Sequence, residues 1–287
     1  MVETVLLLGS TGKMGCALRA AFGSGHRLLC KNSRDFNAAD FAQVEALVRA
    51  ARPAIVLNTV ALLGIDHCEK NPEKAFRLNT LYPKLLAELS LAMGFVLVHF
   101  STDAVFDGRQ NKSYVESDAP RPLNIYGATK YGGDCLVAAI AERFFLVRVS
   151  VLFGETQGSN QFVEKMLLRA RQGKVVLRVA DDIVLSPTFS QDVGWEIRRL
   201  IEAAAPFGLY HLANEGQGSL YELLEAVSAG LGLEVALERA SYRDFPGAGI
   251  KNTHTPLASE KIALLRPWRE AVGDYCRILA PGGKHGG

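Results

Sequence analysis

The chain has 287 residues, 48 % of them apolar and 22 % charged, with a formal net charge of +2. That balance is typical of a folded globular protein and excludes general disorder, while so small a charge gives no electrostatic case for nucleic acid or an anionic membrane as main partner. No apolar run reaches the ~18 residues that a membrane span needs.

The first segment, VETVLLL (2–8), has no basic run before it and meets glycine at once. It therefore reads as a buried β-strand rather than a signal peptide. A glycine turn and a helix over 13–22 follow, then a strand at 26–30 and a helix at 40–51. A third strand at 54–58 precedes one long helical pattern over 72–92. A fourth strand (95–100), a loop rich in Asp, Gly and Pro, a helix over 125–143 and a fifth strand (144–153) complete the first half. Short, continuous apolar strands between amphipathic helices predict a parallel sheet covered on both faces. With right-handed crossovers this gives an α/β, doubly wound, Rossmann-type fold.

Beyond residue 155 the rhythm weakens. A helix at 160–172, a strand near 175–179 and segments at 188–204 and 208–212 are expected. A helix at 219–231, a strand near 234–237 and a terminal helix near 267–279 follow. Residues 1–155, completed by parts of 184–214, are expected to form the dinucleotide-binding domain. Residues 156–183 and 215–287 are expected to form a smaller substrate-binding lobe, with the ligand cleft between the two. The glycine-rich end PGGKHGG (281–287) is expected to be mobile. Five cysteines, at 16, 30, 68, 135 and 276, form no CxxC pair and leave an odd count. Reduced thiols in the cytoplasm are expected, with no disulfide framework and no metal site.

The cofactor site is expected at LLLGSTGKMG, where Gly9, Gly12 and Gly15 lie between the first strand and the first helix. Glycines there permit a tight turn and let a pyrophosphate approach N–H groups at the helix N-terminus. Thr11, Lys13 and Met14 share that turn. At the end of the second strand an acidic residue would bind a ribose 2′-hydroxyl. CKNSRDF instead offers Lys31, Ser33 and Arg34, with Asp35 too late, so NADPH is favoured and NADH remains an option.

Ser101 and Thr102 close the fourth strand, and Tyr126 and Lys130 lie four apart on the next helix. With eight tyrosines in the chain that spacing alone means little. Together Thr102, Tyr126 and Lys130 are expected to form a ketone-reducing set. The phenol, of ordinary pKa near 10, protonates the carbonyl oxygen. The ammonium of Lys130 brings that pKa toward neutrality, and Thr102 holds the carbonyl in line. Asp66, His67, Cys68 and Glu69 are adjacent in sequence and do not converge on a metal. His99, inside an apolar strand, reads as a satisfied core histidine. Asp181 and Asp182 receive no acid–base role. Gly132 and Gly133 suggest close packing of their helix against the sheet.

Gly9-x-x-Gly12-x-x-Gly15, Ser101-Thr102-Asp103 and Tyr126-x-x-x-Lys130 resemble the extended short-chain dehydrogenase/reductases. RPAIVLNTVALLGIDHCEKNPEKAFRLNT, FSTDAVFDG, PLNIYGATKYGGD, FLVRVSVLFG, SPTFSQDVG and GLYHLANEG extend the likeness over nearly the whole chain, to the dTDP-4-dehydrorhamnose reductase group. The resemblance implies Thr102, Tyr126 and Lys130 as catalytic set, and Asn58, Ala61 and Asn79 near the cofactor, Asn79 with a structural role as well. It implies reduction of the 4-keto group of a 6-deoxy nucleotide sugar with NADPH or NADH, and is compatible with a homodimer. Asn37 stands where related reductases place an Asp in the adenine pocket.

The departures face the substrate. Ala104 replaces an aromatic, Val151 a tryptophan, and Ile183 and Leu185 a polar amide and a glycine. KNTHTPLA (251–258) matches the family's late motif only distantly. Three alternatives follow. One is a non-catalytic NADP-binding regulatory subunit, since that of methionine adenosyltransferase resembles the same family. Another is a nucleotide-sugar epimerase. The third, a 4,6-dehydratase, needs a Glu after Thr-Asp, where Ala104 stands.

Overall fold

The computed structural model describes residues 3–157, 162–172 and 176–280. Its first half runs β1 (Thr4–Leu8), α1 (Lys13–Phe22), β2 (Arg27–Lys31), α2 (Phe41–Ala51) and β3 (Ile55–Asn58). Then come α3 (Ile65–Lys70), α4 (Pro72–Phe76), a π-helical turn Arg77–Leu81, α5 (Tyr82–Met93), β4 (Val96–Thr102), α6 (Ile125–Ile140) and β5 (Phe144–Val149). The second half continues with β6 (Leu152–Phe153), α7 (Phe162–Arg171), β7 (Val176–Ala180), β8 (Val184–Leu185), β9 (Thr188–Phe189) and α8 (Ser190–Glu202). It ends with β10 (Gly208–His211), β11 (Asn214–Glu215), β12 (Gly218–Ser219), α9 (Leu220–Gly230), β13 (Ala236–Ala240), β14 (Leu265–Pro267) and α10 (Trp268–Leu279).

Six parallel strands form the central sheet in the order β10-β5-β4-β3-β1-β2. Alternation along β1 sends Val5 and Leu7 to one face, against Leu18 of α1 and Val193 and Ile197 of α8. Leu6 and Leu8 point the other way, onto Val44 and Val48 of α2 and Leu86 of α5. Each fully buried leucine contributes about 2 kcal/mol, so both faces drive the doubly wound arrangement. A separate core joins Phe153, Leu223, Trp268 and Tyr275 beneath α7, α9 and α10. Register brings the strand ends level: Leu8 pairs with both Lys31 and Asn58, Asn58 with His99, and Thr102 with Val149.

Several sequence expectations need correction. The helix expected over 72–92 runs unbroken from Pro72 to Met93 but widens to a π turn just before Pro83, which has no N–H to offer the carbonyl of Asn79. Gly132 and Gly133 pack against that turn, not against the sheet. A Cβ on Gly133 would collide with the Asn79 carbonyl oxygen, and one on Gly132 would press on the Thr80 side chain. The strand expected over 144–153 stops at Val149, where Ser150 turns to donate to Asp103 at 2.7 Å. The helix expected over 125–143 ends at Ile140. The first two residues of the helix expected from 160, the start of the strand near 175, and the glycine-rich end 281–287 lie outside the described residues.

Candidate active site

The loop after β1 is tied to the neighbouring strand end. Gly9 and Ser10 N–H groups both donate to the Lys31 carbonyl, at 2.8 and 3.1 Å, tying the glycine turn to the end of β2. A Cβ on Gly15 would collide with the Gly9 carbonyl, so this glycine is required by the protein itself. Gly12 differs: a Cβ there would meet nothing nearer than 3.9 Å. Gly12 caps α1 with no side-chain hydrogen bond, and no acidic residue occupies the first helical turn. The first N–H groups of α1 thus face a pocket lined by Gly12, Lys13 and Met14, which suits the pyrophosphate of a dinucleotide. Lys13 itself is buried and paired with Glu164 of α7 at 2.9 Å. The Thr11 carbonyl accepts from Gln157 N–H at 3.1 Å, linking the loop to the segment after β6.

Ala61 and Thr59 line the same pocket from the loop after β3. Asn58 and Asn79 are buried behind it. Asn79 accepts from Leu62 N–H at 2.8 Å and donates to the Leu62 carbonyl at 3.0 Å and the Thr129 hydroxyl at 3.2 Å. It clamps the loop to α6 and does not itself line the pocket. Ser33 and Arg34 lie on an exposed turn after β2, closed by the Asn32 and Asp35 side chains. Asn37 is also exposed, and its side-chain oxygen accepts from Ala39 N–H at 3.0 Å.

On the opposite wall the structure brings together Thr102, Tyr126 and Lys130. Thr102 ends β4, whereas Tyr126 and Lys130 occupy the first turns of α6, capped by Asn124, whose side chain accepts from Gly127 N–H at 2.9 Å. The electrostatics differ from the sequence expectation. Burial pushes the Tyr126 phenol above its ordinary value, with Thr102 opposing that rise. The Lys130 amino group is turned to the Phe100 carbonyl at 2.5 Å and lies 3.4 Å from His99 Nε2. Burial pushes Lys130 itself down to about 8, with Asp134 opposing. The Thr102 hydroxyl is also engaged: it donates to Asp103 at 3.1 Å and accepts from Ala104 N–H at 3.1 Å.

The Ser101-Thr102-Asp103 pattern by itself gives Asp103 no role. Its buried carboxylate gathers hydroxyls from Thr102, Ser150 and Thr255, the last at 2.8 Å. Burial nevertheless keeps its pKa raised. The Ser-Thr-Asp triplet was visible, but its partners at 150 and 255 were not. Beneath α6, Asp134 accepts from Ser101 at 2.9 Å and pairs with Arg148 at 3.2 Å.

A second pocket shares Thr102 and Tyr126 and opens toward residues 183–185 and 251–255. Ala104, Val151, Ile183 and Leu185 make its wall apolar. Its Lys251 is held by Asp66 at 3.1 Å, and its Asn252 donates to the Phe106 carbonyl. Asp181 is engaged by Ser219 and Arg239, and Asp182 by Ser241 and Tyr242 N–H.

Known proteins place this arrangement. Residues 3–280 match the RmlD substrate binding domain family. A spore coat polysaccharide biosynthesis protein, SpsK, of Bacillus subtilis is 32 % identical, with 94 % of this chain and 96 % of the relative covered. The dTDP-4-dehydrorhamnose reductase of Escherichia coli is 30 % identical over 93 % and 95 % of the two chains. Among solved structures, a dTDP-4-dehydrorhamnose reductase from Bacillus anthracis in complex with NADP matches with a TM-score of 0.89 at 27 % identity, covering 96 % and 99 %. A Clostridium acetobutylicum ortholog also reaches 0.89, at 25 % identity and covering 96 % and 99 %. With the match running from β1 to the end of α10, the chain belongs to the RmlD substrate binding domain family.

Proposed function

We propose that the protein is an NADPH-dependent reductase, able to use NADH, that converts the 4-keto group of a 6-deoxy nucleotide sugar to a hydroxyl. One observation carries this: Tyr126 and Thr102 belong both to the pocket at the N-terminus of α1 and to the second pocket beside it. A phenol between a dinucleotide site and a substrate site is where a proton donor for a carbonyl must stand. The relatives named as dTDP-4-dehydrorhamnose reductases, one of them with NADP bound, support the substrate class and the cofactor.

When bound, the nicotinamide supplies hydride to the carbonyl carbon. The chain supplies the rest. Burial keeps Tyr126 protonated and ready to donate its phenolic proton to the carbonyl oxygen, leaving a phenolate and an alcohol. Lys130, near 8, is largely an ammonium at neutral pH and compensates that phenolate. Asp103 holds the Thr102 oxygen beside the phenol. The described residues within 156–183 and 215–287 belong to the substrate lobe on this reading, since Ile183 and Lys251 reach the second pocket. Five free thiols support a reducing compartment, the cytoplasm.

The test is NADPH consumption with a panel of 4-keto-6-deoxy nucleotide sugars. Turnover is expected, and Tyr126→Phe lowers kcat by roughly 100-fold or more, the scale of a lost general acid, with NADPH affinity retained. Tight NADPH binding with no turnover on any sugar points instead to a binding subunit.

A further inference from the structure

His99 does more than fill the core. It sits on β4 directly opposite Asn58 of β3, and both are 1 % exposed. The Asn58 side-chain oxygen accepts the Val60 N–H at 3.2 Å. A backbone N–H can only donate, so this contact fixes which end of the amide is which. The amide nitrogen then faces His99 Nδ1, 3.0 Å away, and donates to it. A ring nitrogen that accepts carries no hydrogen, so the single proton of the neutral imidazole is on Nε2. Nε2 lies 3.4 Å from the Lys130 amino nitrogen, which also reaches the Phe100 carbonyl at 2.5 Å.

Two donors cannot satisfy one another. With Lys130 as the ammonium, the His99 N–H faces another donor in a site shielded from water. With Lys130 as the neutral amine, its lone pair accepts the His99 proton while one N–H still serves Phe100. We propose that His99 is a positioning residue for Lys130, locked by Asn58 with its proton on Nε2, so that it disfavours the ammonium and leaves the amine ready to exchange protons.

The charged and titratable groups around this amino group act in different directions. Asp134, from the same helix, favours the ammonium. Its carboxylate is shared with Arg148 of β5 and Ser101 of β4, which weakens that pull. Tyr126, one turn earlier on α6, is kept neutral by burial. His99 opposes the charge from β4, and burial together with Lys130 keeps His99 itself uncharged. Burial, opposed by Asp134, leaves Lys130 at about 8, close to the pH at which a lysine can take up and release a proton. On the reductase reading above, that exchange resupplies the Tyr126 phenolate after each turnover. The Val60 N–H that fixes the chain lies in the same loop as Thr59 and Ala61, so the relay begins at the wall of the cofactor pocket.

The experiment uses the full chain labelled with 15N-histidine and 13C at the lysine ε-carbon, with Lys130→Arg assigning the Lys130 signal. His99 is expected as the Nε2–H tautomer from about pH 5 to 9, without forming an imidazolium in that range. In His99→Phe, which keeps a ring and loses the N–H, the Lys130 titration midpoint is expected about one pH unit higher, a tenfold change in proton affinity. An Nδ1–H tautomer or an imidazolium overturns the proposal, as does an unchanged Lys130 midpoint in His99→Phe. The tautomer is read on the unaltered protein, so the test survives a variant that fails to fold. Neither readout needs turnover, so an inactive protein would refute the reductase reading without touching this one.

Discussion

The site around Tyr126 and the ion-paired residues Asp181 and Arg266 of the later half treat ionisable side chains in opposite ways. Around Tyr126 the groups are held against their preference. Burial raises Tyr126 and Asp103, and burial lowers His99 and takes Lys130 down to about 8. At Asp181 and Arg266, in the later half, they are held with it. Asp181 is kept below its ordinary value by the Ser219 hydroxyl and Arg239. Arg266 is kept above its own by Asp192 and Asp274, with a two-pronged contact to Asp192 at 2.9 and 3.0 Å. Paired charges of the second kind fasten elements together. Groups of the first kind oppose stability, and such sites are where proton chemistry is done.

Replacing one cation from each region sharpens that contrast. Lys130→Met removes a buried charge that the fold holds unwillingly, so thermal or urea unfolding is expected to show a gain of about 2 kcal/mol at pH 7, with turnover lost. The sign follows from linkage. With a folded value near 8 against 10.5 unfolded, the unfolded chain binds the extra proton between those limits. The penalty is therefore complete below pH 8 and fades as pH rises, so the gain of the variant shrinks over that window. Arg266→Met should do the reverse, losing about 1 kcal/mol, a modest figure because a third-exposed guanidinium is screened by water. A destabilised Lys130→Met would erase the distinction between the two regions.

How much of this was legible in the sequence depended on distance along the chain. The glycine turn, β1 to β4 and the Tyr126–Lys130 pair follow from residues within one turn or one strand of each other, and they stand close to where the local pattern put them. The hydroxyl cluster on Asp103 joins positions 47 and 152 residues away, so no local pattern could announce Ser150 or Thr255. The π turn was hidden because the apolar spacing runs on across it, although Pro83 marks its end. The direction of the Lys130 side chain was also out of reach. Spacing put it on the face of Tyr126, but the Phe100 carbonyl and His99 decide where its amino group lies. Asn37 shows a local contact that the sequence did not announce, its side-chain oxygen accepting the Ala39 N–H within its own turn.

The reductase account stands or falls on where the hydride goes. Incubating the protein with NADPH carrying deuterium at the transferable C4 position and a 4-keto-6-deoxy nucleotide sugar, then reading the product by NMR, follows it directly. The account predicts deuterium on sugar carbon 4, beside a new hydroxyl, with transfer slowed in Tyr126→Phe. A bound cofactor that keeps its deuterium, or a sugar returned with inverted stereochemistry and no label, would contradict it.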